Sequence, residues 1–447
     1  MDNELFTKPT IVMITLYLKQ AWALLKQNPL FSSLYIVGTG LAIAMTMIVA
    51  EIYYVKLAPV YPEENRGRTM YITSVECTNG QSTYNYSFSY AALRDWAYDM
   101  EHAEAVSACL EVPFIRNCYI QPADRSGDFH PATKLTDPAF FRIYPLHFIE
   151  GAPFTDSDLR SGLRRAVITD DLARRLFGTV EGVVGRTFSL NYMECRVCGV
   201  VKSGSYLTPK SYAQVYLPYS IIPDYDQPAT PMFPYIGAFS LTLLAPTAGD
   251  MAALQEEVRD KVRRINLQHE GEWQLNLWEQ PTKHAVSVFH RWPSEVIDFW
   301  AKVRYFGLLL LVLLLVPALN LSGMIASRME GRLAEMGVRK SFGAGRNRLL
   351  SQVMWENLVL TLVGGALGLV AAWLTLYVGR EWIFTLMDDY PNIQQGVNAY
   401  VSGEMLFAPL VFLCALLLCV VLNTLSALLP AWLSLRKPIV KSLYERR

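Results

Sequence analysis

Neither charge is in excess in this sequence: 40 lysines and arginines face 40 aspartates and glutamates across 447 residues. A balanced chain with a neutral isoelectric point carries no electrostatic footprint for nucleic acid, so that class of partner is set aside. Catalytic signatures are missing too. No G-x-x-x-x-G-K-[ST] loop occurs, so nothing cradles nucleotide phosphates in the P-loop manner. "FGAGRNR" is glycine-rich and basic, but it follows no expected strand and lacks the Lys-Ser/Thr pair. Neither G-x-S-x-G nor H-E-x-x-H is present. The six histidines are scattered, with no pair at ligand spacing. The chain therefore reads as non-catalytic, with no cofactor and no metal.

Charge is also missing locally, and here the absence is informative. No charged residue lies between Lys26 and Glu51, between Arg304 and Arg328, from Asn357 to Gly379, or from Met405 to Leu435. A bilayer core of about 30 Å takes roughly 20 apolar helical residues, and all four runs are long enough. Basic residues set the orientation. Arg328, Arg332, Arg339, Lys340, Arg346 and Arg348 crowd one connection, whereas the 380–404 connection holds Arg380 against Glu381, Asp388, Asp389 and Glu404. The expected order is a cytoplasmic amphipathic arm (1–28), transmembrane helix 1 (29–55), an external domain (56–302) and transmembrane helix 2 (303–325). A cytoplasmic connection (326–352), transmembrane helix 3 (353–378), an external loop (379–404), transmembrane helix 4 (405–430) and a cytoplasmic tail (431–447) complete it. Apart from Glu356 near the cytoplasmic end, no ionisable residue is expected inside these spans, which argues against a hydrophilic path through them. Gly38 and Gly40 in the first span are small enough for close helix approach and are candidates for contact with a second copy.

The external segment mixes strand and helix patterns without strict alternation, which indicates an α+β domain of two lobes. "RTMYITSVEC", "STYNYSFS", "YAQVYLPY" and "FSLTLLA" read as strands, and "TFSLNYMECRVCGVV" as a strand pair. "SYAALRDWAYDM" reads as a helix capped by Ser89, and "AVITDDLARRLFG" as a strand entering a helix that Gly178 stops. Cys195 and Cys198, three apart in an extended strand, point to opposite faces and are not a ligand pair. With Cys77, Cys109 and Cys118 they are expected to serve as small buried hydrophobes. An oxidising compartment leaves one or two disulfides open without assigning partners.

The connection between the second and third spans is the most unusual stretch. In "EMGVRKSFGAGRNR" a short helix ends at Gly343, and a second helix starts near Arg346. A solvated, positive-inside loop accounts for the arginines but not for Leu333, Met336, Val338 and Phe342 among them. A docking surface accounts for both.

"NLSGMIASRMEGRLAEMGVRKSFGAGRNRLLSQVMWENLVLTLVGGALGL" closely resembles the permease signature of the FtsX/MacB-like ABC transporter family. Arg332, Glu335, Gly337, Arg339, Lys340, Gly343 and Glu356 stand where that pattern has them. "DPAFFRIYPLHFIEGAPF", "AVITDDLARRLFG", "VVGRTF" and "CRVCGVVKSGSY" are similar to the family's periplasmic core domain. The resemblance implies a polytopic α-helical membrane protein of four transmembrane helices in the bacterial inner membrane. Its large two-lobed α+β domain would lie in the periplasm. A coupling helix would dock on a separate cytosolic ABC ATPase through Glu335, Met336, Val338, Arg339, Lys340 and Phe342, and a second permease, identical or paralogous, would complete a dimer. Such a subunit works by mechanotransmission, passing ATP-driven motion to the periplasmic domain for export or extraction of a substrate. A membrane-fusion adaptor and an outer-membrane channel are the further partners that export implies. The alternative is a non-transporting signal device that activates a periplasmic partner such as a cell-wall hydrolase. The size of the external domain favours export.

Overall fold

The computed structural model describes residues 29–112, 118–120, 129–290, 292, 294–386, 403–406 and 408–436. The expected amphipathic arm, most of the 379–404 loop and the end of the tail lie outside them. The chain divides into two units, one of long helices and one of strands and shorter helices.

The helical unit contains α1 (Pro29–Leu57, up to Tyr54), α4 (Phe299–Gly331, from Trp300), α5 (Leu333–Ser341), α6 (Arg346–Leu386, up to Ile383) and α7 (Pro409–Arg436). Three of these, over Pro29–Leu57, Arg346–Arg380 and Pro409–Ser434, are long and apolar enough to cross a membrane. Large apolar side chains such as Leu34, Val37, Leu367, Val378, Leu410 and Val421 stand exposed on them. A helix apolar on its outer face suits a lipid surround. Inside, two apolar clusters hold the helices together, one around Tyr35, Ile325, Leu360 and Ala427, the other around Ile43, Met47, Leu314, Ala372 and Phe412. Some polar atoms in this interior are paired across helices. Tyr35 Oη lies 3.0 Å from Thr361 Oγ1, and Asn423 Nδ2 donates to the same oxygen at 3.4 Å.

The second unit, Val55–Phe299 with 384–402, carries fourteen strands among its described residues. The first five are β1 (Thr69–Ile72), β2 (Val75–Thr78), β3 (Thr83–Phe88), β4 (Ala105–Leu110) and β5 (Thr133–Thr136). Next come β6 (Phe148–Gly151), β7 (Arg165–Thr169), β8 (Thr187–Leu190), β9 (Met193–Val201) and β10 (Val215–Pro218). β11 (Ile236–Gly237), β12 (Phe239–Leu244), β13 (Gln274–Asn276) and β14 (Thr282–Lys283) complete the set. They link in the order β13-β2-β3-β12-β4-β5-β10-β7-β9-β6. Residues 133–218 are inserted between β4 and β12, which pair directly over six positions. The insertion shares the same sheet, because β4 also pairs with β5 through Cys109↔Thr136 and Leu110↔Leu135. β4 is buried at every position, which its apolar run "AVSACL" permits.

Local expectations are met where they rest on local chemistry. Ser89 accepts a hydrogen bond from the Ala92 amide, although the α-helix it caps is only Tyr90–Ala92 before the backbone widens. α2 (Asp170–Phe177) ends at Gly178 in the left-handed conformation. α3 (Met251–Gln268) buries Met251, Leu254, Val258 and Ile265 along one stripe. Cys195 packs in the cluster with Phe188 and Val197, whereas Cys198 packs on the other face with Phe140 and Phe154. Cys77, Cys109 and Cys118 are buried as well.

Val55–Leu57, the last turn of α1, belong to this second unit. Their carbonyls have no partner further along the helix, and a buried polar cluster supplies partners. Arg66 Nη1 donates to Val55 O at 2.6 Å and to Ala58 O at 2.7 Å, while its Nε donates to Glu63 at 2.9 Å. Glu63 also accepts from the Ser211 amide and hydroxyl. Burial alone raises a carboxyl, but Arg66 and these donors more than offset it and hold Glu63 below its ordinary value. His284 Nε2 lies 2.9 Å from Lys56 O, and its Nδ1 lies 3.0 Å from the Tyr71 hydroxyl. Burial, with Arg66 nearby, pushes His284 down to about 4, so the ring is neutral. Nε2–H therefore donates to Lys56, and Nδ1 accepts from Tyr71.

Candidate functional site

The connection between α4 and α6 is folded back on the helices that flank it. α5 begins one residue after α4 ends, and Arg332 is the only residue between them. At the other end the Phe342 amide donates to Val338 O and the Ala344 amide to Arg339 O. Gly343 has φ +86°, the left-handed conformation that closes a helix and that a side chain disfavours.

Five polar side chains then form a closed ring. Arg332 Nη1 donates to Glu356 Oε2 at 2.8 Å, and its Nε lies 3.3 Å from Glu335. Glu335 Oε1 accepts from Arg339 Nη2 at 2.6 Å, and Arg339 Nη1 donates to Gln352 Oε1 at 2.8 Å. Gln352 Nε2 returns to Glu356 Oε1 at 3.1 Å, which closes the circuit. Glu356 is buried. Burial works against the Arg332 charge, but Glu356 and Glu335 outweigh it and hold the guanidinium above its ordinary value. Arg328 adds a second cation, 3.8 Å from Glu356, and lies over the Phe31 ring.

The ring divides the expected docking residues. Met336 is 6% exposed and packs inward with Tyr35, Met329, Leu349 and Val353. Its expected place on the docking face is corrected, because its position in α5 turns it onto the apolar cluster. Phe342 is 88% exposed and Val338 46%, an unusual display for apolar side chains on a helix end. Lys340 is half-buried beside them, its ammonium lowered by burial and by Arg346. Glu335 and Arg339 are tied into the ring, so their first partners lie within this chain.

Two family models cover most of the chain: the MacB-like periplasmic core domain matches residues 33–261, and the FtsX-like permease C-terminal domain matches residues 307–439. The chain belongs to the MacB/FtsX-like ABC transporter permeases. A relative of this family, the ABC transporter permease YknZ of Bacillus subtilis (strain 168), is 24% identical over 272 residues, 61% of this chain and 62% of that protein. The macrolide export ATP-binding/permease protein MacB of Escherichia coli (strain K12) is 24% identical over 298 residues, 66% of this chain and 40% of that protein. The match thus spans less than two thirds of either relative. The periplasmic region of MacB from Actinobacillus actinomycetemcomitans aligns over 48% of this chain and 92% of its own length, with 16% identity and a TM-score of 0.32.

Within this MacB/FtsX-like permease, the first-span glycines also separate. A Cβ on Gly38 meets nothing within 4 Å, as expected of a free face. Gly40 instead packs on Gly364 and Gly368 of α6, so its assignment to an intermolecular contact is corrected: the close approach is within the chain. The signal was present in the Gly364-x-x-x-Gly368 spacing. Glu51 was also missed. α1 runs from Pro29 to Leu57, so this carboxyl lies inside an apolar helix, whereas only Glu356 is expected as an ionisable residue within the spans. It is fully buried and faces the Ala408 amide, and among the described residues neither oxygen reaches hydrogen-bond geometry with a partner.

Proposed function

We propose that this permease is the mechanotransmission subunit of an ABC complex. In this reading α1, α4, α6 and α7 are its four membrane spans, the strand-rich unit lies in the periplasm, and a separate cytosolic ATPase drives it. The observation that carries the reading is Phe342, 88% exposed at the end of a helix that a closed polar ring fixes to α6. An apolar anchor held rigidly and left uncovered is what an interface hot spot requires. Support at the other end comes from the last turn of α1, whose carbonyls are held by Arg66 and His284 of the external unit. ATP-bound and free states of the ATPase bias the system to the extent that they differ in contact energy at Phe342 and Val338. Export or extraction of a substrate from the periplasmic side or outer leaflet is the work proposed, with a second permease completing the assembly.

Co-purification from the native membrane, with identification of every bound chain, tests the assembly, and an ATPase subunit is the expected partner. Topology is tested separately with Ser341→Cys in a Cys-free background. An impermeant thiol reagent added to cells with permeabilised outer membranes is expected to leave that cysteine unlabelled; labelling would reverse the orientation.

A further inference from the structure

The helical unit carries an apolar cleft between α6 and α7 that the docking function does not use. Leu369, Val370, Trp373, Phe412, Leu413 and Leu416 line it, and its volume is about 470 Å³, inside the roughly 300–1,000 Å³ range of small-ligand sites. Among the described residues the lining is apolar and aromatic throughout. It is open to the surroundings of the helices, since Val370 is 55% and Leu413 52% exposed.

What continues from the cleft along α6 is less ordinary. Trp373 stacks on Tyr377, with ring centroids 5.5 Å apart and planes at 15°. The Arg380 guanidinium lies 5.3 Å from the Tyr377 centroid. Leu369, Trp373, Tyr377 and Arg380 follow one another at spacings of four, four and three residues, one face of the helix. Arg380 stands about 16 Å beyond Leu369 along the axis. Among the described residues it makes no ion pair. Trp and Tyr favour the membrane–water boundary, and a long basic side chain there reaches headgroup level. An apolar cleft, an aromatic collar and a cation then follow one another in the order of an acyl chain, a glycerol backbone and a phosphate. A second protein helix would fill the cleft equally well but would have no use for the cation at its end.

We infer that the cleft between α6 and α7 is a binding site for one anionic glycerophospholipid, with an acyl chain along Leu369, Val370 and Leu413 and its phosphate on Arg380. The inference rests on the reading of α6 as a membrane span and is independent of the ATPase-docking reading. It gives Arg380 a ligand and the Trp373–Tyr377 pair a positioning role.

The test uses the full-length chain in nanodiscs of equimolar dioleoyl phosphatidylglycerol and dioleoyl phosphatidylcholine. Lipid retained after detergent extraction is measured by native mass spectrometry. Arg380 meets a phosphate in either lipid, but the choline cation of phosphatidylcholine neutralises it and repels the guanidinium, so phosphatidylglycerol should be retained over phosphatidylcholine on the order of tenfold. Arg380→Gln should bring that ratio close to one, and Arg380→Lys should restore much of it. Val370→Trp, which fills the cleft from its exposed side, should remove the retained lipid altogether. Equal retention of both lipids by the unaltered protein would overturn the inference, as would an unchanged ratio in Arg380→Gln. Undiminished lipid in Val370→Trp would overturn the cleft as the site, and a change only in its oligomeric state would make the cleft a contact between copies instead. Failure of the chain to enter nanodiscs would count against α6 as a span, which is a separate result.

Discussion

A methyl group on Gly40 would stand 3.0 Å from the carbonyl oxygen of Gly364, so α1 and α6 meet there backbone to backbone. Gly40→Leu is therefore expected to break packing within one chain, with loss of folded protein in detergent. Gly38→Leu leaves that packing intact and alters only an open face. Thermal unfolding followed by gel filtration separates the two. A dimer lost in Gly38→Leu at unchanged midpoint would assign that face to the second copy.

The segment Leu333–Gly343 makes a prediction of its own. Phe342→Ala removes an exposed side chain at about 2 kcal/mol or more of binding if it is an interface anchor, which is roughly thirtyfold in affinity for the ATPase. Its own thermal midpoint should not move. Met336→Ala should do the reverse, because a buried Met→Ala cavity costs about 2–5 kcal/mol of stability. Pull-down of the ATPase by each variant, with a melting curve beside it, shows which side chain faces out.

Charge removal in the polar ring is expected to depend on burial. Glu356→Gln leaves Arg332 and Arg328 without their buried counter-charge, a loss of about 3 kcal/mol or more. Glu335→Gln removes a half-exposed partner and should cost below about 1 kcal/mol. Unfolding midpoints in detergent compare them directly, and equal midpoints would mean that the ring does not hold α5 in place.

Acid stability of the external unit contains two opposed components. His284 has a folded value of about 4 against 6.5 when free, so its stabilising contribution is complete above 6.5 and is lost as pH falls toward 4. Asp137, buried and pushed up to about 6 from 3.8, behaves oppositely: its contribution is complete below 3.8 and is lost as pH rises through 6. His284→Asn should therefore shrink the loss of stability between pH 6.5 and 4, and Asp137→Asn should enlarge it. Fluorescence-detected unfolding across that interval reads both slopes.

Glu51 costs stability where it stands, since a buried polar group without a partner is unfavourable by about 1–3 kcal/mol. Glu51→Leu should raise the unfolding midpoint. An ionisable residue retained in such a place generally serves function, so activity of the assembled complex should fall in the same variant.

What the sequence made legible was local. Gly178 and Gly343 end helices because few other residues tolerate their backbone angles, and Cys195 and Cys198 diverge because a strand alternates. The apolar helices could be read from the missing charges alone. What could not be read were pairings between distant segments. Glu356 is 24 residues from Arg332, and Gly40 more than 300 from Gly364, and no local pattern states that either pair meets. Met336 and Phe342 are both apolar and six apart on one short helix. Only the position of α6 decides which of them is covered. Glu51 differs for a simpler reason: it lies within the expected 29–55 span, yet only Glu356 is counted as an ionisable residue inside the spans.

The five-member ring also has a geometric consequence. It ties α5 to the first turns of α6, and α6 is 41 residues long, about 60 Å from end to end. Clamped in this way, the short helix and the long one form a single shaft whose packing on α1, at Gly364 and Gly368, lies near its middle. With arms of about 30 Å on either side, a rigid tilt of about 5° would move each end through roughly 3 Å. A small rotation imposed on the nine residues of α5 would thereby reach the far end undiminished, without any residue along the shaft changing its own conformation.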